Sequence, residues 1–116
     1  MGPAMPTMTQ QTGRIRVLND NFRSTFIGGQ VVMTAGVSEL PMDVKANVLL
    51  TVKSFDNFTG GNDPYGEHDF GVFEVAGDTF YWKIDYYDPD CRYGSENPAD
   101  PEKTTRVLTI MLAGEY

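Results

Sequence analysis

Two aromatic, β-branched runs separated by three turn-forming residues constrain this chain more than any other feature. Residues 69–75 (DFGVFEV) and 79–87 (TFYWKIDYY) flank Ala76-Gly77-Asp78. Short strands of this composition, joined through a Gly-Asp pair, predict a hairpin with a two-residue turn. With Gly77 and Asp78 as the turn pair, Val75 stands opposite Phe80, Phe73 opposite Trp82 and Gly71 opposite Ile84. Moving the turn to Ala76-Gly77 keeps the same two sets of side chains together, whereas a three-residue turn exchanges them on one strand. The first set is almost wholly apolar and is expected to meet helices. The second holds Phe70, Val72, Glu74, Tyr81, Lys83, Asp85, Tyr87 and His68, with His68 diagonal to Asp85 and opposite Tyr87.

The remaining segments supply partners for this hairpin. Ile15, Leu18, Phe22 and Phe26 recur at helical spacing, with Arg14, Arg16, Asp20 and Arg23 on the other sides. Gly28-Gly29 is the expected left-handed stop. Residues 30–34 (QVVMT) predict a short strand, and Ser38-Glu39-Leu40-Pro41 a second helix start with Pro41 in its first turn. Val44, Val48, Val52 and Phe55 form that helix's stripe, joined by Leu49. Residues 57–66 are turn-rich, residues 88–102 form a long polar loop, and residues 104–112 (TTRVLTIML) are the last strand. There Leu108, Ile110 and Leu112 face the core, leaving Val107, Thr109 and Met111 on the second face. The order α-β-α-β-β-β predicts an α+β fold: a mostly antiparallel four-stranded sheet with two helices packed on one face. Residues 1–13 are expected to be a flexible segment and residues 14–116 a single domain.

Composition narrows the class of protein. Seven Phe, six Tyr and one Trp in 116 residues suffice for one core. A single cysteine cannot close an internal disulfide, which points to a reducing, cytoplasmic setting. No apolar run approaches the roughly 20 residues of a membrane helix, so no membrane association is expected. The net charge of −7 is unevenly spread: residues 56–102 hold twelve of the sixteen acids against Lys83 and Arg92, a local charge of −10. That balance argues against direct nucleic-acid binding, and it reads either as solubilising loops or as an acidic surface that meets a basic partner or a cation.

A His68–Asp85 pair has the elements of a general base, but no nucleophile accompanies it. Cys91 lies between Asp88, Asp90 and Arg92, and the two acids oppose thiolate formation. A calcium loop counted from Asp56 places Gly61 and Glu67 correctly but puts Phe58 and Gly60 at ligand positions. A loop counted from Asp88 puts Tyr93 where its glycine belongs. Asp63, Glu67, His68 and Asp69 remain as an irregular hard-cation set, and one His with one Cys is too few for zinc. Gly28-Gly29 and Gly60-Gly61 lack the spacing of a phosphate-cradling loop. No catalytic set, metal or cofactor is therefore expected. The binding candidates are His68, Phe70, Tyr81, Lys83, Asp85, Tyr87 and Met111. Phe70, Val72, Tyr81, Tyr87, Val107 and Met111 on the second face form either an exposed patch that marks an interface or a surface covered by the 88–102 loop or the N-terminal segment.

The stretches NDPYGEHDFG (62–71), WKIDYYD (82–88) and DPEKTTRVLTIML (100–112) resemble a family of short bacterial proteins described only as a domain of unknown function. The resemblance runs from Ile15 onward and includes Leu40-Pro41. It implies an alphaproteobacterial, often plasmid-associated setting among replication, partition and anti-restriction genes, and it assigns no residue a role. The expected function is a non-enzymatic interaction module that binds a protein partner or its own copy through the mixed aromatic and acidic sheet face. The alternatives are an acidic anti-restriction-type DNA mimic and a small metal-assisted hydrolase using His68, Asp85 and Tyr87.

Overall fold

The computed structural model describes residues 8–116. Its elements are α1 (Met8–Thr25), β1 (Gln30–Met33), α2 (Ala35–Ser38), α3 (Met42–Lys53), β2 (Phe70–Val75), β3 (Asp78–Tyr87) and β4 (Thr105–Leu112). Short 3₁₀ turns span Pro101–Lys103 and Ala113–Glu115. The four strands form one sheet in the order β1-β4-β3-β2, antiparallel except for the parallel β1–β4 pair. The fold is α+β, with three helices where two were expected, because Pro41 sits at the N-cap of α3 and the preceding turn coils separately as α2. Residues 8–13 of the segment expected to be flexible are helical, and residues 1–7 lie outside the described residues.

The hairpin turns one residue earlier than the Gly-Asp pair suggests. Ala76 and Gly77 are the central residues, both left-handed (φ 54° and 83°), which matches the twist of the flanking strands. Asp78 consequently pairs with Val75, Phe73 with Phe80 and Gly71 with Trp82, and the two side-chain sets survive the shift. Phe73, Phe80, Trp82, Ile84, Leu108 and Ile110, all of one parity, share a buried cluster with Phe22 of α1, Val37 of α2, Val48 and Val52 of α3, and Phe55. Gly71 lets the Trp82 ring lie flush on β2: a Cβ there would collide with the indole nitrogen and come within 2.7 Å of Phe55.

Two details of α1 differ from the periodicity. Arg23, expected among the outward residues, is 4% exposed. It donates to the carbonyls of Val52 (2.9 Å) and Lys53 (3.2 Å), satisfying groups left open by the last turn of α3. Its guanidinium also lies 5.4 Å from the Phe58 ring and 5.2 Å from the Trp82 ring. The left-handed residue that ends α1 is Phe26 (φ 60°), whose N–H bonds to the Phe22 carbonyl, rather than Gly28.

The long loop follows the helix layer. Arg106, of core parity, donates to the Pro98 carbonyl, and Ala99 and Pro101 line a cavity with Gly13, Arg14, Val17 and Leu18 of α1.

Candidate functional site

His68 stands apart from the other candidates. Its φ of 56° breaks the strand alternation before β2 begins and turns its side chain away from the second face. The ring stacks on Phe58 (centroids 3.6 Å apart, planes at 1°), and Nδ1 lies 2.9 and 3.1 Å from the Asp20 carboxylate oxygens. Nε2 is 3.5 Å from Asp63 Oδ2, and Asp63 Oδ1 accepts the His68 backbone N–H at 3.0 Å. The expected juxtaposition with Asp85 and Tyr87 is therefore corrected to one with Asp20, Asp63 and Phe58.

The neighbouring residues explain that placement. Arg16 Nε donates to the Gly66 carbonyl (2.6 Å), and Asn19 Nδ2 donates to the Glu67 carbonyl (3.0 Å) and to the Tyr86 hydroxyl (2.8 Å). Tyr86 in turn donates to Glu67 Oε2 (2.9 Å), and Arg106 Nε donates to Asn19 Oδ1 (2.8 Å). Burial pushes the Tyr86 hydroxyl far above the usual phenol range, so it remains a donor. Burial likewise draws the Arg106 guanidinium down from its ordinary value, against the opposing pull of Tyr86 and Glu67. These bonds strap residues 66–68 onto α1. Asn19 falls four residues after Ile15 and Arg23 four after Asn19, so strict helical counting puts both inside, although the charge of Arg23 suggests an outward position.

The other six candidates share the second face. Phe70 pairs with Lys83, Tyr81 with Met111, Asp85 with Val107 and Tyr87 with Thr105. The Phe70 ring tilts onto Tyr81 at 5.5 Å, and Tyr116 sets its edge against Tyr81 (5.4 Å) and Phe70 (6.3 Å). Lys83 Nζ lies 3.0 Å from Asp85 Oδ2, and that hydrogen bond raises the Lys83 ammonium above its ordinary value despite partial burial. Val32, Val72 and Tyr87 are exposed. Met111, expected in the exposed patch, is instead 3% exposed at the floor of a cavity beside Tyr116.

Glu115 holds Tyr116 in place. Its carboxylate accepts from Thr34 Oγ1 (2.6 Å), the Gly36 N–H (2.9 Å) and the Leu112 N–H (3.0 Å), and these bonds lower its pKa. Tyr116 separates two cavities that both touch Lys83. One of about 340 Å³ is lined by Thr34, Thr109, Met111 and Glu115, and one of about 330 Å³ by Tyr65, Asp69, Phe70 and Asp85. Burial, then the Glu67, Asp63 and Asp85 carboxylates, raise the Asp69 pKa against a backbone hydrogen bond. Counting along strands does not find Tyr65, Glu115 or Tyr116, which lie outside the strands; Asp69, already named in the cation set, falls one residue before β2.

Among the described residues no group of three or more His, Cys, Asp or Glu side chains is arranged to hold a metal ion, and no helix is long and apolar enough to cross a membrane. A family model described as "Protein of unknown function (DUF3768)" matches residues 33–115. The chain belongs to this family. The DUF3768 stretch carries Phe70, Tyr81, Lys83, Asp85, Tyr87 and Met111, while α1, which supplies Asn19 and Asp20 to the strap, precedes it. The match is shorter than the stretch from Ile15 onward that the motifs implied. No curated protein and no solved structure matches the chain.

Proposed function

We propose that this DUF3768 chain is a non-enzymatic interaction module that binds a partner protein through the sheet face bearing Phe70, Val72, Tyr81, Lys83, Asp85 and Tyr87. The observation that carries the reading is the Phe70–Tyr81–Tyr116 ring cluster beside the Lys83–Asp85 ion pair, on the side of the sheet opposite the core. Rings flanked by polar groups give large contact area at low conformational cost and dominate binding surfaces. A basic partner is favoured over a second copy, since two chains of charge −7 repel.

The two alternatives are less well supported. Both His68 ring nitrogens point at carboxylates and one ring face is covered by Phe58, which leaves a hydrolytic role without a free base. A DNA mimic needs rows of outward carboxylates, yet Asp63, Glu67 and Asp85 are engaged by His68, Tyr86 and Lys83 within the chain. The test compares the native domain with a Tyr81→Ser/Tyr87→Ser variant: the partner each retains is purified and titrated against both. A one-to-one complex weakened at least tenfold in the variant, with its thermal midpoint nearly unchanged, is expected. Equal affinity for both proteins overturns the reading.

A further inference from the structure

A sheet of order β1-β4-β3-β2 has two edges, and they differ in charge. The β2 edge carries Glu74 and belongs to the 56–102 segment of local charge −10. The β1 edge lies in an uncharged run, since no Asp, Glu, Lys or Arg occurs between Arg23 and Glu39. It holds neither the charge nor the proline with which edges are commonly kept from pairing. The direction of its backbone groups follows from its register. Thr34 N–H donates to the Ile110 carbonyl of β4 at 3.1 Å, and Val31 and Val32 pair with Leu108 and Thr109. Alternate residues of a strand bond the same neighbour, so Gln30 and Val32 face β4 while the N–H and C=O of Val31 and Met33 face outward. No hydrogen bond from another described residue reaches those outward groups. Gln30, Val32 and Met33 are exposed. Open backbone groups among apolar side chains specify an extended strand as their complement.

We infer that β1 is a self-pairing edge: two copies of this chain join antiparallel through β1 about a two-fold axis at Val32. Val31 of one copy exchanges both N–H···O bonds with Met33 of the other, and the same exchange repeats across the axis. The two Val32 side chains, each 44% exposed, meet on the second face, and each Met33 covers the half-buried Val31 of the other copy. A basic partner strand finds no carboxylate in the 24–38 run, whereas an uncharged strand identical to β1 meets no unpaired charge there. The repulsion that opposes a second copy on the sheet face is screened in this arrangement. Five strand spacings of about 4.8 Å separate the two β3 strands, about 24 Å against a Debye length of about 8 Å. Glu115, whose carboxylate is held by Thr34 and Gly36 just past β1, falls at opposite ends of the antiparallel pair in the two copies. Pairing leaves Phe70, Tyr81 and Tyr87 open and turns both copies of that face to the same side of one continuous sheet.

Sedimentation velocity of the full chain from about 5 to 500 µM reads the pairing, over the range suited to a small, transient interface. The expected result is a reversible rise from monomer toward dimer, with half-dimerisation inside that range. Val32→Lys and Val32→Glu each stay monomeric throughout, because like charges then stand directly opposite; mixed in equal amounts they form a heterodimer. Tyr81→Ser/Tyr87→Ser dimerises like the native chain, which separates this edge from the sheet face. Amide exchange followed by NMR slows at Val31 and Met33 as concentration rises and stays constant at Val32, whose N–H already faces β4. That readout uses the native chain alone and decides the question even where a variant is destabilised. A monomer at every concentration overturns the proposal, including one that takes up a foreign strand. Dimers of either single charge variant, no heterodimer from two folded variants, or a dimer lost in the tyrosine variant overturn it as well.

Discussion

Replacing Asn19 by alanine tests the strap that holds the 62–69 segment against α1. Asn19 is fully buried and makes three side-chain bonds: to the Glu67 carbonyl, the Tyr86 hydroxyl and Arg106 Nε. Alanine removes all three and leaves Arg106, 3% exposed, with a charged N–H facing nothing in its place. Hydrogen bonds to charged groups contribute about 1.5–3 kcal/mol and neutral ones about 1 kcal/mol each, so the expected loss is about 3–5 kcal/mol. For a chain of this size 1 kcal/mol corresponds to about 4 °C in thermal midpoint, which places the drop at about 12–20 °C. Trp82, the only tryptophan and fully buried in the core, reports unfolding by fluorescence in a urea titration. The midpoint should fall with the slope unchanged. A loss below about 1 kcal/mol would refute the reasoning, because such a value belongs to a single solvent-compensated bond.

Other substitutions probe the remaining features. Gly71→Ala forces a methyl against Trp82 and Phe55 and should destabilise the domain by about 1–3 kcal/mol in the same urea titration, the usual cost of overpacking; a neutral result would mean that the indole moves freely. Ala76→Gly relieves a left-handed alanine in the hairpin turn and should stabilise by about 0.5–1 kcal/mol, read as a higher thermal midpoint. Glu115 has a folded pKa below its ordinary value, so its anchoring of Tyr116 is present at neutral pH and fades as pH falls through that lowered pKa. The Tyr116 ring resonances should therefore move in acid, and Glu115→Gln should flatten that dependence; an identical titration in the variant contradicts the anchor.

The hairpin was legible because its argument tolerated error. Either two-residue turn gives the same two faces, so misplacing the bend by one residue left Phe70, Tyr81, Lys83, Asp85 and Tyr87 correctly grouped. His68 was lost where that logic stops, at a left-handed residue just outside the strand; histidine adopts that conformation more readily than most residues, but alternation along the strand does not reveal it. Arg23 was misread because a charged residue in a helical stripe looks solvent-facing until the carbonyls at the end of α3 are there to receive it. The Glu115 clasp joins residues some eighty positions apart through carboxylate bonds to Thr34 and Gly36, and local periodicity contains no trace of such a contact.

The most direct measurement sets two disruptions side by side in one binding titration with the purified partner: Tyr81→Ser/Tyr87→Ser on the open side of the sheet, and His68→Phe within the strap. The open-side pair should cost at least tenfold in affinity, and His68→Phe, which keeps the ring stack on Phe58, should leave affinity unchanged. Affinity lost in His68→Phe and kept in the tyrosine pair would put the working surface on the helix side and contradict the account.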